Sequence, residues 1–286
     1  MDTADLAQPM APVREPHRAT AHAPASTPLL LPAFSLARRE LVRFLRQPNR
    51  VIGALATPIV FWLLVGGGMG RSFHSAAPGG DNYIEYFFPG TILMILLFTA
   101  IFSTISIIED RREGFLQSVL VAPVSRMSIV LGKVLGGTAL AFGQGLVFLL
   151  LAPTVGIHPT LPAILLASAA MFIVSFSLTA LGVCIAWRMS STQGFHAIMN
   201  LFLMPMWFLS GALFPPEGAR GGLGWVMRLN PLTYGLSAIR NALYLSPSSH
   251  YSLALTVDFS VSIIFSLAMF ALASTIVAGR VSADLQ

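Results

Sequence analysis

The densest run of reactive side chains in this sequence is Glu109, Asp110, Arg111, Arg112, Glu113 and Gly114, followed at once by Phe115, Leu116, Gln117, Ser118, Val119 and Leu120. Carboxylates and guanidiniums packed this closely make charge-assisted hydrogen bonds, either to a folded neighbour or to a second protein. Phe115, Leu116, Val119 and Leu120 recur at i, i+1, i+4 and i+5, one face of a short helix that Pro123 ends. A docking element for a soluble partner has this form, and so does a helix lying among lipid headgroups; the residues alone leave both open.

Catalysis finds little to work with. A phosphate-cradling loop needs Gly-x-x-x-x-Gly-Lys and then Ser or Thr, because the lysine pairs with phosphate and the hydroxyl ligates magnesium. Lys133 is the only lysine, and although Gly132 precedes it, Val134 follows and Met127 stands where the first glycine belongs. The cluster Gly66, Gly67, Gly68 and Gly70 has no lysine and reads as a flexible span end. His17 and His22 lie near the amino terminus, while His74, His158, His196 and His250 are scattered without partners at metal-ligand spacing. Cys184 is the sole cysteine, so no disulfide forms within the chain. The expectation is no catalytic residue and no metal.

Two weaker polar features remain. Asp258 falls inside a long apolar block, where an acid is a functional candidate by default; it either serves a substrate or proton, or snorkels or pairs with an arginine such as Arg240. Thr91, Thr99, Ser103 and Ser106 fall on one side of a second apolar block, and Ser168, Ser175 and Thr179 on one side of a fourth. With Asn200 these hydroxyls could line a path for a substrate, or they could serve close helix packing. Gln144 and Asn200 are costlier to bury and suit interhelical bonds, while Gly132 and Gly136 form a small-xxx-small packing pair.

These residues are set in a chain of 286, of which 55% are hydrophobic and 10% charged, against roughly 25% charged in an ordinary soluble domain. Six apolar blocks, Val51 to Met69, Phe87 to Ile108, Ile129 to Leu151, Leu161 to Trp187, Ala197 to Phe214 and Leu253 to Val277, are each long enough to cross a hydrocarbon core of about 30 Å. Pro153 to Pro162 turns the third block into the fourth as a helical hairpin. The net charge of +5 lies beside these blocks, where anionic lipid rather than nucleic acid would meet it. Thirteen of the Lys and Arg residues fall on the side of the amino terminus, the second and fourth loops and the carboxyl terminus, and four on the other; both termini are therefore expected in the cytoplasm.

Residues 1–32, with six prolines, are expected to form a disordered tail. Residues 33–48 are expected to form an amphipathic interfacial helix, with Phe34, Ala37, Leu41, Phe44 and Leu45 toward the acyl chains and Arg39, Arg43, Arg46 and Arg50 at the headgroups. Residues 49–286 make one six-span domain. Its last outside segment, Pro215 to Tyr251, is broken at Asn230 and Pro231 and is read as a re-entrant helix pair, a water-exposed amphipathic loop being the alternative. The fold class is thus an all-α membrane protein of six transmembrane helices with an N-terminal interfacial helix and re-entrant outside helices.

The run from Glu109 to Lys133, with its Arg-Glu-Gly, Leu-Val-Ala-Pro-Val-Ser-Arg and Leu-Gly-Lys, resembles the signature of the type 2 ABC exporter permeases. Ser210, Gly211, Phe214 and Pro215, then Asn230, Pro231, Leu232 and Tyr234, are similar to that family's fifth-span exit and outside helices. The resemblance covers nearly everything after residue 33 and is closest to the drug-resistance and polysaccharide branch, with Gly114, Phe115, Leu116 in place of the commoner Gly-Thr-Leu. It implies a homodimer in a bacterial inner membrane, a separate ATPase subunit that binds ATP and magnesium, and no cofactor on this chain. It also implies that the ATPase docks through Arg39 and Arg43 of the interfacial helix and Glu109 to Leu116, Val119 and Leu120 of the second loop. The substrate, lipid-like, glycan or drug-like, would leave the cytoplasm along a path near Thr99, Ser103, Ser106, Ser175, Asn200 and Asp258. An ion-coupled secondary transporter is the competing class; it needs ion-coupling groups at mid-membrane, for which Asp258 is the only candidate.

Overall fold

The computed structural model describes residues 29–69, 82–121, 124–216, 219, 221–245 and 253–283, without the side chains of Arg50, Leu120, Val121 and residues 280–283. Residues 1–28 of the expected tail, Pro123 and Gly70 lie outside them, whereas Leu30, Leu31 and Pro32, expected in the tail, form the first turn of the interfacial helix. Among the described residues there is no strand, as suits backbone that must satisfy its own hydrogen bonds in lipid. The helices are α1 (Leu30–Leu45), α2 (Pro48–Met69), α3 (Tyr83–Ser103), α4 (Ile105–Arg112), α5 (Phe115–Val121), α6 (Arg126–Leu149), α7 (Leu161–Ala186), α8 (Thr192–Trp207), α9 (Gly222–Leu229), α10 (Pro231–Leu243) and α11 (Leu253–Ala283).

Six stretches are long and apolar enough to cross a membrane: Val51–Met69, Tyr83–Arg112, Arg126–Leu149, Leu161–Ala186, Thr192–Ala212 and Leu253–Gly279. They coincide with the six apolar blocks. The protein is a multi-pass membrane protein. Its axle is α3, packed against α2, α6 and α7 and buried along most of its length through Phe87, Phe88, Ile92, Leu93, Leu96 and Ala100. α11 leans on α7 and α10, whereas α2, α8 and α11 turn Leu64, Leu201, Phe202, Ile264 and Leu267 outward. A single turn at Ala152–Val155, closed by Gly156, makes the expected hairpin between α6 and α7.

The hydroxyl stripes are spent largely inside their own helices. Thr91, Ser175 and Thr179 donate to the carbonyls of Phe87, Met171 and Ser175, and Ser103 to that of Ala100. Gln144 instead bonds across helices, accepting from Thr99 Oγ1 at 2.6 Å.

The glycines at 66–68 are helical and carry α2 to its end at Met69, and Gly66 lies against Ile84 of α3. Gly132 and Gly136 of α6 let α1 settle on the spans, since a Cβ at 132 would stand 2.7 Å from Leu36 Cβ and 2.8 Å from the Ala33 carbonyl oxygen. Gly132→Val is therefore expected to cost about 1–3 kcal/mol through overpacking, read as a lowered Tm of the purified protein in detergent.

One end of the bundle is pinned by aromatic side chains to a widened turn, Phe208–Ala212, after α8. Gly211 takes φ +89°, a conformation only glycine adopts easily. Its carbonyl accepts from Tyr86 Oη at 2.8 Å, and Trp207 Nε1 donates to the Gly90 carbonyl at 2.9 Å. The outside segment forms two helical pieces, as its sequence suggests. Asn230 ends α9, caps α10 by accepting from the Leu232 N–H, and donates to the Met206 carbonyl at 2.6 Å.

Candidate functional site

The interfacial helix is not one apolar face and one headgroup face. Phe34 and Leu45 point outward, but Ala33, Ala37, Glu40 and Phe44 are buried against the spans. Arg39 and Arg43 do not stay at the headgroups as expected, because the surface facing them on α4 is lined with carboxylates. Glu40, between them in sequence, is buried as well.

Asp110 is the centre of what results. It is fully buried; its Oδ1 accepts from Arg39 Nη2 at 2.9 Å and Arg43 Nη1 at 2.7 Å, and its Oδ2 from Arg39 Nη1 at 3.1 Å and from Lys133 Nζ. Lys133, from α6, also donates to Glu40 Oε1 at 2.7 Å and Ser106 Oγ at 3.3 Å. Arg43 reaches further to Glu109 at 3.0 Å and Glu113 at 3.3 Å. Charges this deep persist only when paired and hydrogen-bonded on most of their donors and acceptors, and that condition is met here. The Asp110 hydrogen bond first, with the carboxylates of Asp110, Glu40 and Glu113, outweighs burial and holds the Arg39 guanidinium above its ordinary pKa.

The helical pitch splits the charged run. Glu109, Asp110 and Glu113 face α1, while Arg111 and Arg112 face the end of α7. Arg111 donates to the Trp187 and Met189 carbonyls at 2.7 and 3.0 Å, and Arg112 to that of Ser190 at 2.7 Å. Cations at the last carbonyls of a helix satisfy groups that the helix leaves unpaired. Gly114, with φ +75°, then reverses the chain into α5. The Arg39 guanidinium lies 3.6 Å from the Phe115 ring centroid and Leu116 is buried, which fixes α5 on the same body and leaves Glu113, Gln117 and Ser118 exposed. Val119 is half-buried, and the Leu120 side chain lies outside the described residues.

Beside this body lies a cavity of about 450 Å³ between α2, α3, α4 and α8, lined among others by Asn49, Thr57, Thr99, Phe102, Glu109 and His196. Of the residues expected along a path, only Thr99 borders it. Ser106 supports Lys133, Ser103 and Ser175 bond within their helices, and Asn200 is exposed on α8. Asp258 stands apart, accepting from Ser237 and Asn241 of α10; no ion pair to Arg240 forms, because these two side chains at i and i+4 reach the carboxylate first. Glu109 is the unforeseen element, since one carboxylate both pairs with Arg43 and lines the cavity. Lys133 carried a signal for the ion-paired body: a lone lysine inside an apolar block requires a buried acid.

The profile of the ABC-2 type transporter family matches residues 33–244 of this chain. The transport permease ycf38 of Cyanophora paradoxa is 26% identical over 209 residues, covering 72% of each chain. Nodulation protein J of Rhizobium meliloti (strain 1021) is 25% identical over 205 residues, 71% of this chain and 77% of its own. The multidrug ABC transporter permease YbhR of Escherichia coli (strain K12) is 26% identical over 169 residues, 59% of this chain and 46% of its own. With the match running from the ion-paired interfacial helix through the outside helix pair, the chain belongs to the ABC-2 type transporter family, the membrane subunits of ABC transporters.

Proposed function

We propose that this membrane subunit is an exporter permease of a bacterial inner membrane, working as a homodimer and driven by ATP hydrolysed on a separate ABC ATPase. The observation that carries the reading is the Asp110 cluster. It ties α1, α4, α5 and α6 into one body whose exposed edge, Glu113, Gln117 and Ser118, is free to meet a soluble protein. Arg39, Arg43 and Asp110 then act as the frame of the docking surface rather than as its contacts. A push on α5 reaches the cavity wall through Glu113, Arg43 and Glu109, a chain of direct ion pairs. The cavity mixes Phe98 and Phe102 with Thr57, Asn49 and His196, a lining suited to an amphipathic substrate, lipid-like, glycan or drug-like.

The homodimer reading is supported by α8. Its outward face sets Asn200 beside Leu201 and Phe202, and an amide in hydrocarbon is costly unless a second helix answers it. Both termini and α5 on the cytoplasmic side agree with the distribution of arginines. Co-expression with the ATPase encoded nearest to it tests the proposal. A complex of two permease and two ATPase chains should be recovered, with ATP hydrolysis only when the ATPase is present. Export from ATP-loaded vesicles in the absence of any ATPase chain would instead favour ion coupling.

A further inference from the structure

Under the outside helices, α10 and the outer part of α11 enclose a cavity of about 180 Å³ that no step of the proposed transport reading uses. Arg240 and Asp258 both line it, with Ser237, Asn241, Arg228 and Tyr234. Both Arg240 and Asp258 are only 6% exposed.

Neither charge is neutralised by an ion pair among the described residues. Arg240 Nη2 donates to the Gly211 and Tyr86 carbonyls at 3.2 and 3.4 Å, and its guanidinium carbon lies 4.3 Å from the Tyr86 ring centroid. Its Nε is buried without a partner, and its Nη1 makes no hydrogen bond among the described residues. Asp258 Oδ2 accepts from Ser237 Oγ at 2.6 Å and Asn241 Nδ2 at 3.2 Å, while its Oδ1 makes no hydrogen bond among the described residues. Two opposite charges in one small cavity, each with an idle atom and no ion pair between them, are a costly arrangement for packing alone.

The ligand chemistry follows from the two signs. An anion by itself would meet the Asp258 carboxylate, and a cation by itself would meet Arg240 and Arg228. A zwitterion satisfies both ends. The idle carboxylate oxygen requires an N–H donor, which a primary ammonium has and a quaternary one lacks. Among the described residues Tyr234 is the only aromatic side chain lining the cavity, too little for the cage that quaternary ammonium recognition uses. The volume corresponds to about six waters at roughly 30 Å³ each, room for a small headgroup. We propose that this cavity binds a zwitterionic group of the phosphoethanolamine type, its phosphate on Arg240 and its primary ammonium on Asp258.

The group can arrive on a lipid or free in solution, and the test separates the two. Full-length protein is purified from membranes supplied with equal phosphatidylethanolamine, phosphatidylcholine and phosphatidylglycerol, and the lipid retained is measured by native mass spectrometry. Retention of phosphatidylethanolamine at least tenfold above the other two is expected for the unaltered protein, falling to parity in Asp258→Asn. Equal retention of all three lipids by the unaltered protein overturns the proposal unless free phosphoethanolamine binds, and an unchanged preference in Asp258→Asn overturns it outright. Free phosphoethanolamine is then tested by thermal shift against phosphocholine. Stabilisation by the first alone assigns the site to a soluble zwitterion as well; no stabilisation, with the lipid still retained, assigns it to the lipid. Neither result overturns the site, but failure in both arms does. Should the variant fail to fold, the unaltered protein's lipid ranking and its response to free phosphoethanolamine decide the matter together.

Discussion

Asp110→Asn is expected to destabilise the protein by about 3–5 kcal/mol, the size found when one partner is removed from a buried ion pair. The reason lies in what stays behind. Lys133 is 5% exposed and would keep only Glu40 as an anionic partner, while Arg39 and Arg43 would each lose their shortest bond to a carboxylate. Glu113→Gln makes the contrast, because Glu113 is 60% exposed and its bond to Arg43 is long at 3.3 Å. A surface pair of that kind contributes under about 1 kcal/mol. Thermal unfolding of both variants in one detergent checks the difference. Equal Tm values for the two variants would refute the cluster's structural role.

Phe115→Ala is expected to separate transport from ATP use. The ring is held under Arg39 and seats α5 on the ion-paired body, so its loss frees α5 without touching Asp110. Stacking of this kind at a partly exposed site contributes about 0.5–1 kcal/mol, too little to unfold a six-span protein. The variant should keep its Tm and its place in the membrane while transport driven by a co-expressed ATPase drops tenfold or more. Transport at the unaltered rate would show that α5 does not carry the force.

The spans were readable from the chain because the bilayer dictates their length, and α2, the helix from Tyr83, α6, α7, α8 and α11 fall on the six apolar blocks for that reason. The hairpin at Gly156 and the break at Asn230 and Pro231 were readable for a local reason, since a glycine, an asparagine and a proline restrict the backbone by themselves. The pairing of charges was not. Arg39 and Arg43 have the spacing of a headgroup stripe, and nothing within α1 says that α4 will bring Glu109 and Asp110 against them. Glu40 gave no sign of burial, because its partner Lys133 is 93 residues away. Asp258 and Arg240 have opposite signs and lie near each other, yet two neutral side chains one helical turn apart on α10 hold the acid instead. Hydroxyl stripes are ambiguous in the same manner, for a serine or threonine in a span can be satisfied by its own helix, as Ser175 and Thr179 are.

On the proposed docking, force enters through the exposed edge of α5. This is tested most directly by placing a cysteine at Gln117, with Cys184 replaced by alanine, and adding a short thiol-reactive cross-linker to the complex with its ATPase. A permease–ATPase adduct is expected, its yield changing on adding ATP. Labelling of that cysteine by an impermeant reagent from the outside of intact cells would contradict it.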